Sequence, residues 1–346
     1  MSSEKLVALH SSAVRRRLLL GLAGGGISLA MASASAMRAG ETLPVVATFS
    51  ILGDMVKEVG GERVSVTIIV GVNNDAHRFD PTPRDAKALL DARVLVLNGL
   101  DFEAWLPRLA QASGFSGLQV LASEGVKVRR LGDAGQHDHD GHEQQGHDHD
   151  ADPGHAQDAR REAGHHHGDA DPHAWQDLSN GMIYARNIAA GLARADPRNA
   201  GYYEGRAAGY VARMKALDNE IKAAFAAIPR ERRRVITSHD AFGYFGDAYG
   251  VEFIPVAGLS NQAEPSARDV ARIIKIARDS HISGVFIENM TSPALARQIA
   301  RESGAVMGGT LYADALGPAD EPAATYLGMF SWNAGRLLYV LRPRKD

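Results

Sequence analysis

The sequence predicts an α/β protein of two lobes, each with a mostly parallel sheet flanked by helices, joined by one long backbone helix. Three observations carry this expectation. Short β-branched runs alternate with helix-periodic runs in the first half of the chain, and the alternation returns in the second half. Between the halves, residues 199–228 hold one apolar stripe, Tyr210, Met214, Leu217, Ile221, Phe225 and Ile228, at helical spacing throughout. Such a helix spans roughly 40 Å, long for one α/β lobe and suited to a connector. Third, a polar low-complexity run at about 132–169 interrupts the first half and has almost nothing apolar to bury.

Taken in order, 45–49 is a β-rich run, and 51–59 is a helix with Ile51, Met55, Val56 and Val59 on one face. A buried strand follows at 64–70, then a loop at 71–83 containing His77, a helix at 84–92 and a second buried strand at 94–97. Residues 100–112 read as helix and 119–121 as a short strand. After the polar run, 177–194 is helical, with Leu178, Met182, Ala185, Ile188, Ala189 and Leu192 at core spacing, and Asp196-Pro197 breaks it before the long helix. The second half gives strands at 235–237, 253–256, 285–288 and 305–312. Helices are expected at 240–249, 266–279 (capped by Ser266), 293–302 and 326–341, with a loop at 259–265. The expected organisation is a leader over 1–39, a first lobe over 40–178, a helix pair over 179–232 and a second lobe over 233–346.

The 346 residues have room for about two domains. Apolar content of 45%, charged content of 23% and a net charge of −3 are those of a soluble globular protein without a nucleic-acid bias. There are no cysteines, which removes disulfides, thiolate metal sites, a nucleophilic thiol and a lipid-bearing cysteine. Arg15-Arg16-Arg17, the apolar run 18–31 and Ala34-Ser35-Ala36 have the order of an export signal with a small-residue cleavage site. The apolar run is shorter than the ~20 residues of a membrane span. The expected mature protein therefore starts near 37–40 and is periplasmic and not lipidated.

The polar run holds nine of the fourteen histidines: His137, His139, His142, His147, His149, His155, His165, His166 and His167. Their aspartate- and glycine-rich setting is a metal-binding composition. Nine imidazoles without a preorganised frame imply weak, exchangeable zinc sites, an accessory and not the tight site. In open parallel sheets ligands bind beyond the carboxyl ends of the strands. His77 follows the strand at 64–70, His239 the strand at 235–237 and Asp314 the strand at 305–312, while His173 lies at the end of the first lobe. Three imidazoles and one carboxylate suit tetrahedral Zn²⁺, and a closed shell leaves no position for a catalytic water. Mn²⁺ would favour a second carboxylate over the third histidine. By position alone, His77 and His239 could equally be loop histidines, His173 the tail of the run and Asp314 a turn cap. Asp171, Asp240, Trp175 and Phe242 are candidates to support the ligands; His281 has no partner motif.

The words around these residues are specific. They are Asp75-Ala76-His77-Arg78-Phe79-Asp80-Pro81-Thr82-Pro83, Asp171-Pro172-His173-Ala174-Trp175, Ser238-His239-Asp240-Ala241-Phe242-Gly243 and Leu311-Tyr312-Ala313-Asp314-Ala315-Leu316-Gly317. With Asn98-Gly99-Leu100-Asp101-Phe102-Glu103-Ala104-Trp105 and Glu264-Pro265-Ser266-Ala267, the chain resembles the cluster A-I solute-binding proteins, the zinc and manganese receptors of bacterial ABC importers. The resemblance covers nearly the whole mature chain. It implies two lobes, one backbone helix and a single metal in the cleft, with His77, His173, His239 and Asp314 at the family's ligand positions. Manganese members usually carry Glu at the third position, so His239 implies zinc. Some zinc members carry Glu before the first histidine, where this chain has Ala76. The Asp314 ligand with a His-rich loop is most similar to the Azt-type zinc receptors, which take zinc from a periplasmic metallochaperone.

The expected function is therefore a periplasmic, monomeric zinc receptor, not an enzyme, delivering Zn²⁺ to an ABC permease. One alternative is a manganese receptor of the same fold. Another is a periplasmic zinc hydrolase with His77, His173 and His239 around an open metal and Glu288 as general base.

Overall fold

The computed structural model describes residues 41–130, 170–257, 266–280 and 282–343. The leader at 1–39, the nine histidines of the polar run, the loop at 259–265 and His281 lie outside these residues. The first lobe holds β1 (Leu43–Phe49), α1 (Ser50–Gly60), β2 (Val64–Val70), α2 (Pro83–Asp91), β3 (Val94–Leu97), α3 (Leu106–Ser113) and β4 (Leu118–Leu121). Next come α4 (Leu178–Ala195) and the 27-residue α5 (Ala200–Ala226). The second lobe holds β5 (Arg234–Thr237), α6 (Gly243–Tyr249), β6 (Glu252–Pro255), α7 (Ala267–Asp279), β7 (Gly284–Glu288), α8 (Pro293–Ser303), β8 (Val306–Leu311) and α9 (Tyr326–Leu341).

Both sheets are four-stranded and parallel in every pairing, in the orders β2-β1-β3-β4 and β6-β5-β7-β8. The two orders are the same topology used twice. Strand order reverses between β1 and β3, and again between β5 and β7, which leaves a crevice at the carboxyl ends of those strands. The central strands β1 and β3 are almost wholly buried, as the continuous apolar runs require when helices cover both faces. In the second lobe, Ile236, Ile273, Ile274, Val285 and Ile299 form the core between sheet and helices.

Two expected elements are shorter than predicted. Residues 100–112 do not form one helix; α3 begins only at Leu106. Leu100 and Asp101 take left-handed φ values of 55° and 59°, and the Glu103 carboxylate accepts the backbone N–H groups of Asn98 (2.7 Å) and Gly99 (3.1 Å). A side-chain turn thus displaces the first helical turn. Likewise α6 starts at Gly243 and not at 240, because Glu288 accepts the backbone N–H groups of Ser238 and His239, both at 3.0 Å.

Helix α5 packs along α4 and α1 and also touches α6 and α9, so it bridges the lobes by lying on them. Its buried face includes Asp218 where the apolar spacing favoured Leu217. Asp218 is tolerated there because Tyr249 Oη donates to it at 3.0 Å and Lys222 Nζ at 2.7 Å.

A second seam joins α1 to α9, where Asp54 Oδ2 accepts the Tyr326 N–H at 2.9 Å. Burial, reinforced by Glu58, pushes the Asp54 carboxyl up to about 6 against the Tyr326 bond, Lys57 and Arg213. A carboxyl raised on folding contributes stability that is whole below its unfolded pKa and is lost as pH rises through its folded one. Stability measured by urea denaturation should therefore shift in favour of D54N, relative to wild type, by on the order of 2–3 kcal/mol between about pH 4 and about pH 7. Parallel pH curves for the two proteins would contradict this.

Candidate metal centre

Each of the four predicted ligands is held by its backbone before any metal is considered. His77 lies in the loop after β2. Its N–H donates to Asp75 Oδ1 at 2.8 Å, Trp105 Nε1 donates to the carbonyl of Ala76 at 2.8 Å, and its ring sits edge-on to Phe102 with centroids 4.5 Å apart. His173 precedes a single 3-10 turn. Asp171 Oδ1 accepts both its backbone N–H at 3.0 Å and its ring Nδ1–H at 2.8 Å. His239 follows β5, and its Nδ1 bonds Glu288 Oε2 at the end of β7, the strand on the other side of the switch point. Asp314 follows β8. The carbonyl of its neighbour Ala313 accepts from Trp175 Nε1 (2.9 Å) and Gln176 Nε2 (2.7 Å), so the segment that carries His173 is bonded to the loop that carries Asp314.

The structure brings His77, His173, His239 and Asp314 together, with one donor atom of each within 4.8 Å of the others. His77 Nε2 is 3.2 Å from His173 Nε2 and 3.5 Å from Asp314 Oδ2. Asp314 Oδ1 lies 3.4 Å from His173 Nε2, and Oδ2 lies 3.1 Å from His239 Nε2. Donors placed tetrahedrally at 2.0–2.1 Å from a zinc ion are about 3.3 Å apart, the spacing of these pairs. His173, His239 and Asp314 are wholly buried, and the His77 side chain is 8% exposed, so solvent reaches the cluster on the His77 side. A cavity of about 680 Å³ lies beside it, with Asp75, Arg78, Ser238 and Thr291 in its wall.

Donor atoms crowd here without saturating one another. Both Asp314 oxygens are buried and neither accepts a well-aligned hydrogen bond, although three imidazoles stand within ion-pair distance. Burial alone would raise the Asp314 carboxyl; the charges of His239 and His173, with the close approach of the His239 and His77 rings, outweigh it and hold the group well below the usual carboxylate range. Burial alone would lower His239; the carboxylates of Glu288 and Asp314 reverse this and push it well up. A metal bound at His239 Nε2 must therefore compete with a proton for that atom. With Nδ1 of His173 and His239 donating to carboxylates, both Nε2 lone pairs face the centre.

Several supporting residues differ from expectation. Asp171 supports His173 directly, and Trp175 packs against its ring with centroids 5.3 Å apart. Asp240 lies by Asp171 and Arg129 and within electrostatic reach of His173 and His239, and Phe242 stacks on Phe253 at 5.0 Å. Glu288 is committed to His239 and two backbone N–H groups, the position of a support and not of a base facing a free ligand site. A network beneath the cluster escaped the ligand search: Tyr184 Oη donates to Asn98 Oδ1 at 2.5 Å, Asn98 Nδ2 to the Pro172 carbonyl at 3.0 Å, and Thr48 Oγ1 to Glu103 Oε1 at 2.7 Å. Its only sequence signal was the motif 98–105 itself.

Two parallel sheets with a nitrogen-rich cation site built from both define a two-lobed metal-binding protein. The profile of the family described as zinc-uptake complex component A, periplasmic (ZnuA) matches residues 45–338, and the chain belongs to that family. Among its relatives, the manganese-binding lipoprotein MntA of Halalkalibacterium halodurans is 31% identical over 295 residues, covering 85% of this chain and 87% of MntA. The manganese ABC transporter substrate-binding lipoprotein PsaA of Streptococcus pneumoniae is 28% identical over 309 residues, covering 88% and 90%. The periplasmic zinc-binding protein TroA of Treponema pallidum superposes with a TM-score of 0.72 at 26% identity, covering 88% of this chain and all of TroA's. The manganese-bound periplasmic metal-binding protein of Candidatus Liberibacter asiaticus gives 0.70 at 25% identity, covering 87% of this chain and all of its own. The metals named for its relatives include manganese, iron and zinc. MntA and PsaA are named lipoproteins, whereas this sequence contains no cysteine.

Proposed function

We propose that the protein is a periplasmic receptor that binds Zn²⁺ at His77, His173, His239 and Asp314 and delivers it to the membrane permease of an ABC importer. The observation that carries the zinc reading is the donor set, three imidazole Nε2 atoms to one carboxylate, with two imidazoles fixed by carboxylates behind them. Imidazole suits zinc, and manganese prefers more oxygen. Four protein ligands close a tetrahedral shell, and Glu288 is engaged with His239, so the reading is carriage of the ion and not hydrolysis. The leader-like 1–39 and the lack of cysteine support an exported, unlipidated form. The His-rich run is read as a weak zinc-capture segment, and zinc arriving from a metallochaperone fits the Azt-like combination of that run with Asp314.

Manganese is the second reading. It is favoured by the MntA and PsaA relatives and by the two Asp314 oxygens, which face different imidazoles and could both serve one ion. Competition against a chelator decides between them. Protein lacking 135–167 should bind about one Zn²⁺ per chain tightly and Mn²⁺ far more weakly, while the intact protein takes up additional weakly held zinc. Tighter manganese binding by the deleted protein would overturn the zinc assignment, and no tight binding of either metal would overturn the site.

A further inference from the structure

Arg129 stands where the first lobe's ligand segment meets the second lobe. Its neighbour Arg130 forms an isolated antiparallel bridge with Ala170, and its own carbonyl accepts the Asp171 N–H at 2.9 Å. The Arg129 side chain is only 13% exposed. Nη1 donates to Asp171 Oδ2 at 3.1 Å, and Nε lies 3.3 Å from Asp247 Oδ2 on α6. Asp240 adds a third negative charge nearby. The guanidinium rests on Gly243, the first residue of α6; a Cβ there would fall 2.7 Å from Nε and closer still to the rest of the fork. The seat is therefore shaped for this side chain, and a planar fork is what two carboxylates at different angles require.

The Asp171 carboxylate divides its oxygens. Oδ1 accepts the ring and backbone N–H groups of His173, and Oδ2 accepts Arg129. We infer that Arg129 is a positioning residue for metal binding: it holds Asp171 in the orientation that turns His173 Nε2 into the centre. Removing the fork leaves a buried carboxylate oxygen unpaired, so Asp171 must turn to find another donor. That turn loosens the hold of Oδ1 on the His173 ring. The contact with Asp247 is a separate matter, because that carboxylate is 71% exposed and screened by solvent.

The inference rests on the metal-receptor reading, and one set of measurements separates the two. Wild-type protein that bound no zinc tightly would remove the reading itself. With wild type binding, R129Q should lose about 10–100-fold in zinc affinity, the scale for residues that orient metal ligands. Its Co²⁺-substituted form should show a shifted ligand-field absorption, a readout that loss of fold stability alone does not move. R129K keeps the charge but cannot span both carboxylates, so it should fall between R129Q and wild type with a spectrum also displaced; it serves if R129Q does not fold. D247N should leave zinc affinity and spectrum within about 2-fold of wild type. Wild-type affinity and spectrum in R129Q or R129K would overturn the inference. So would D247N matching R129Q, because Arg129 would then act only as a latch between the lobes.

Discussion

Asp314→Asn is expected to lower zinc affinity by about 10²–10³-fold with little loss of fold stability. Structural zinc sites release ~10–16 kcal/mol over four ligands, so one ligand accounts for roughly 2.5–4 kcal/mol, or that range of affinity. Among the described residues Asp314 is the one carboxylate in the four-residue cluster, and it faces His77, His173 and His239. Asparagine preserves the shape, so no cavity forms, but the negative charge that offsets the ion is gone. Against burial, the Glu288 carboxylate and then this charge push His239 well up. Zinc binding by the wild type should therefore release protons and weaken as pH falls, and D314N should release fewer. Calorimetric titration in buffers of different ionisation heats measures both quantities. Affinity within ~10-fold of wild type would remove Asp314 from the ligand set.

Glu288 should matter almost as much, by a different route. It accepts from His239 Nδ1 and from the backbone N–H groups of Ser238 and His239; Glu288 and His239 are buried and Ser238 is half-buried. E288A strands these donors next to a charged imidazole, so destabilisation of about 3–5 kcal/mol is expected. E288Q keeps one accepting oxygen but sets an NH₂ against a remaining donor. Its zinc affinity should fall by about 10–100-fold, because His239 loses the group that fixes its tautomer and orientation. Thermal melts with and without zinc separate the two effects: E288Q should show a smaller zinc-induced rise in Tm than wild type. An unchanged rise would mean that Glu288 serves the fold alone.

The convergence of His77, His173, His239 and Asp314 was legible in the sequence because each lies in a marked motif, in the loop after a strand or at the end of a lobe, and a parallel sheet sends its loops to one edge. Their supports were less legible. Glu288 read as a free acid because nothing local says that β7 lies next to β5, although the strand order makes Glu288 and His239 neighbours. Arg129 drew no notice, since its partners Asp171 and Asp247 are 42 and 118 residues away and meet only in the folded chain. The late start of α3 has the same origin: Leu100–Ala104 has helical composition, but the Glu103 carboxylate takes backbone donors for a turn. On α5, Asp218 replaced Leu217 on the buried face because Tyr249, from another element, offered a hydroxyl.

Local order along the chain thus suffices for most of the elements and the twofold α/β alternation, since periodicity acts over a few residues, while the four donor residues stood out only with the motifs around them. The packing of the lobes decides what those donors become. It sets three imidazoles and a carboxylate 3.1–3.5 Å apart at the pairs in contact, closes them off from solvent except on the His77 side, and backs His239 with Glu288 from a distant strand, whereas His173 is backed by Asp171 two residues before it. Those distances and that burial make a cation the natural partner of the cluster. They depend on contacts between residues far apart in sequence, which no local pattern encodes.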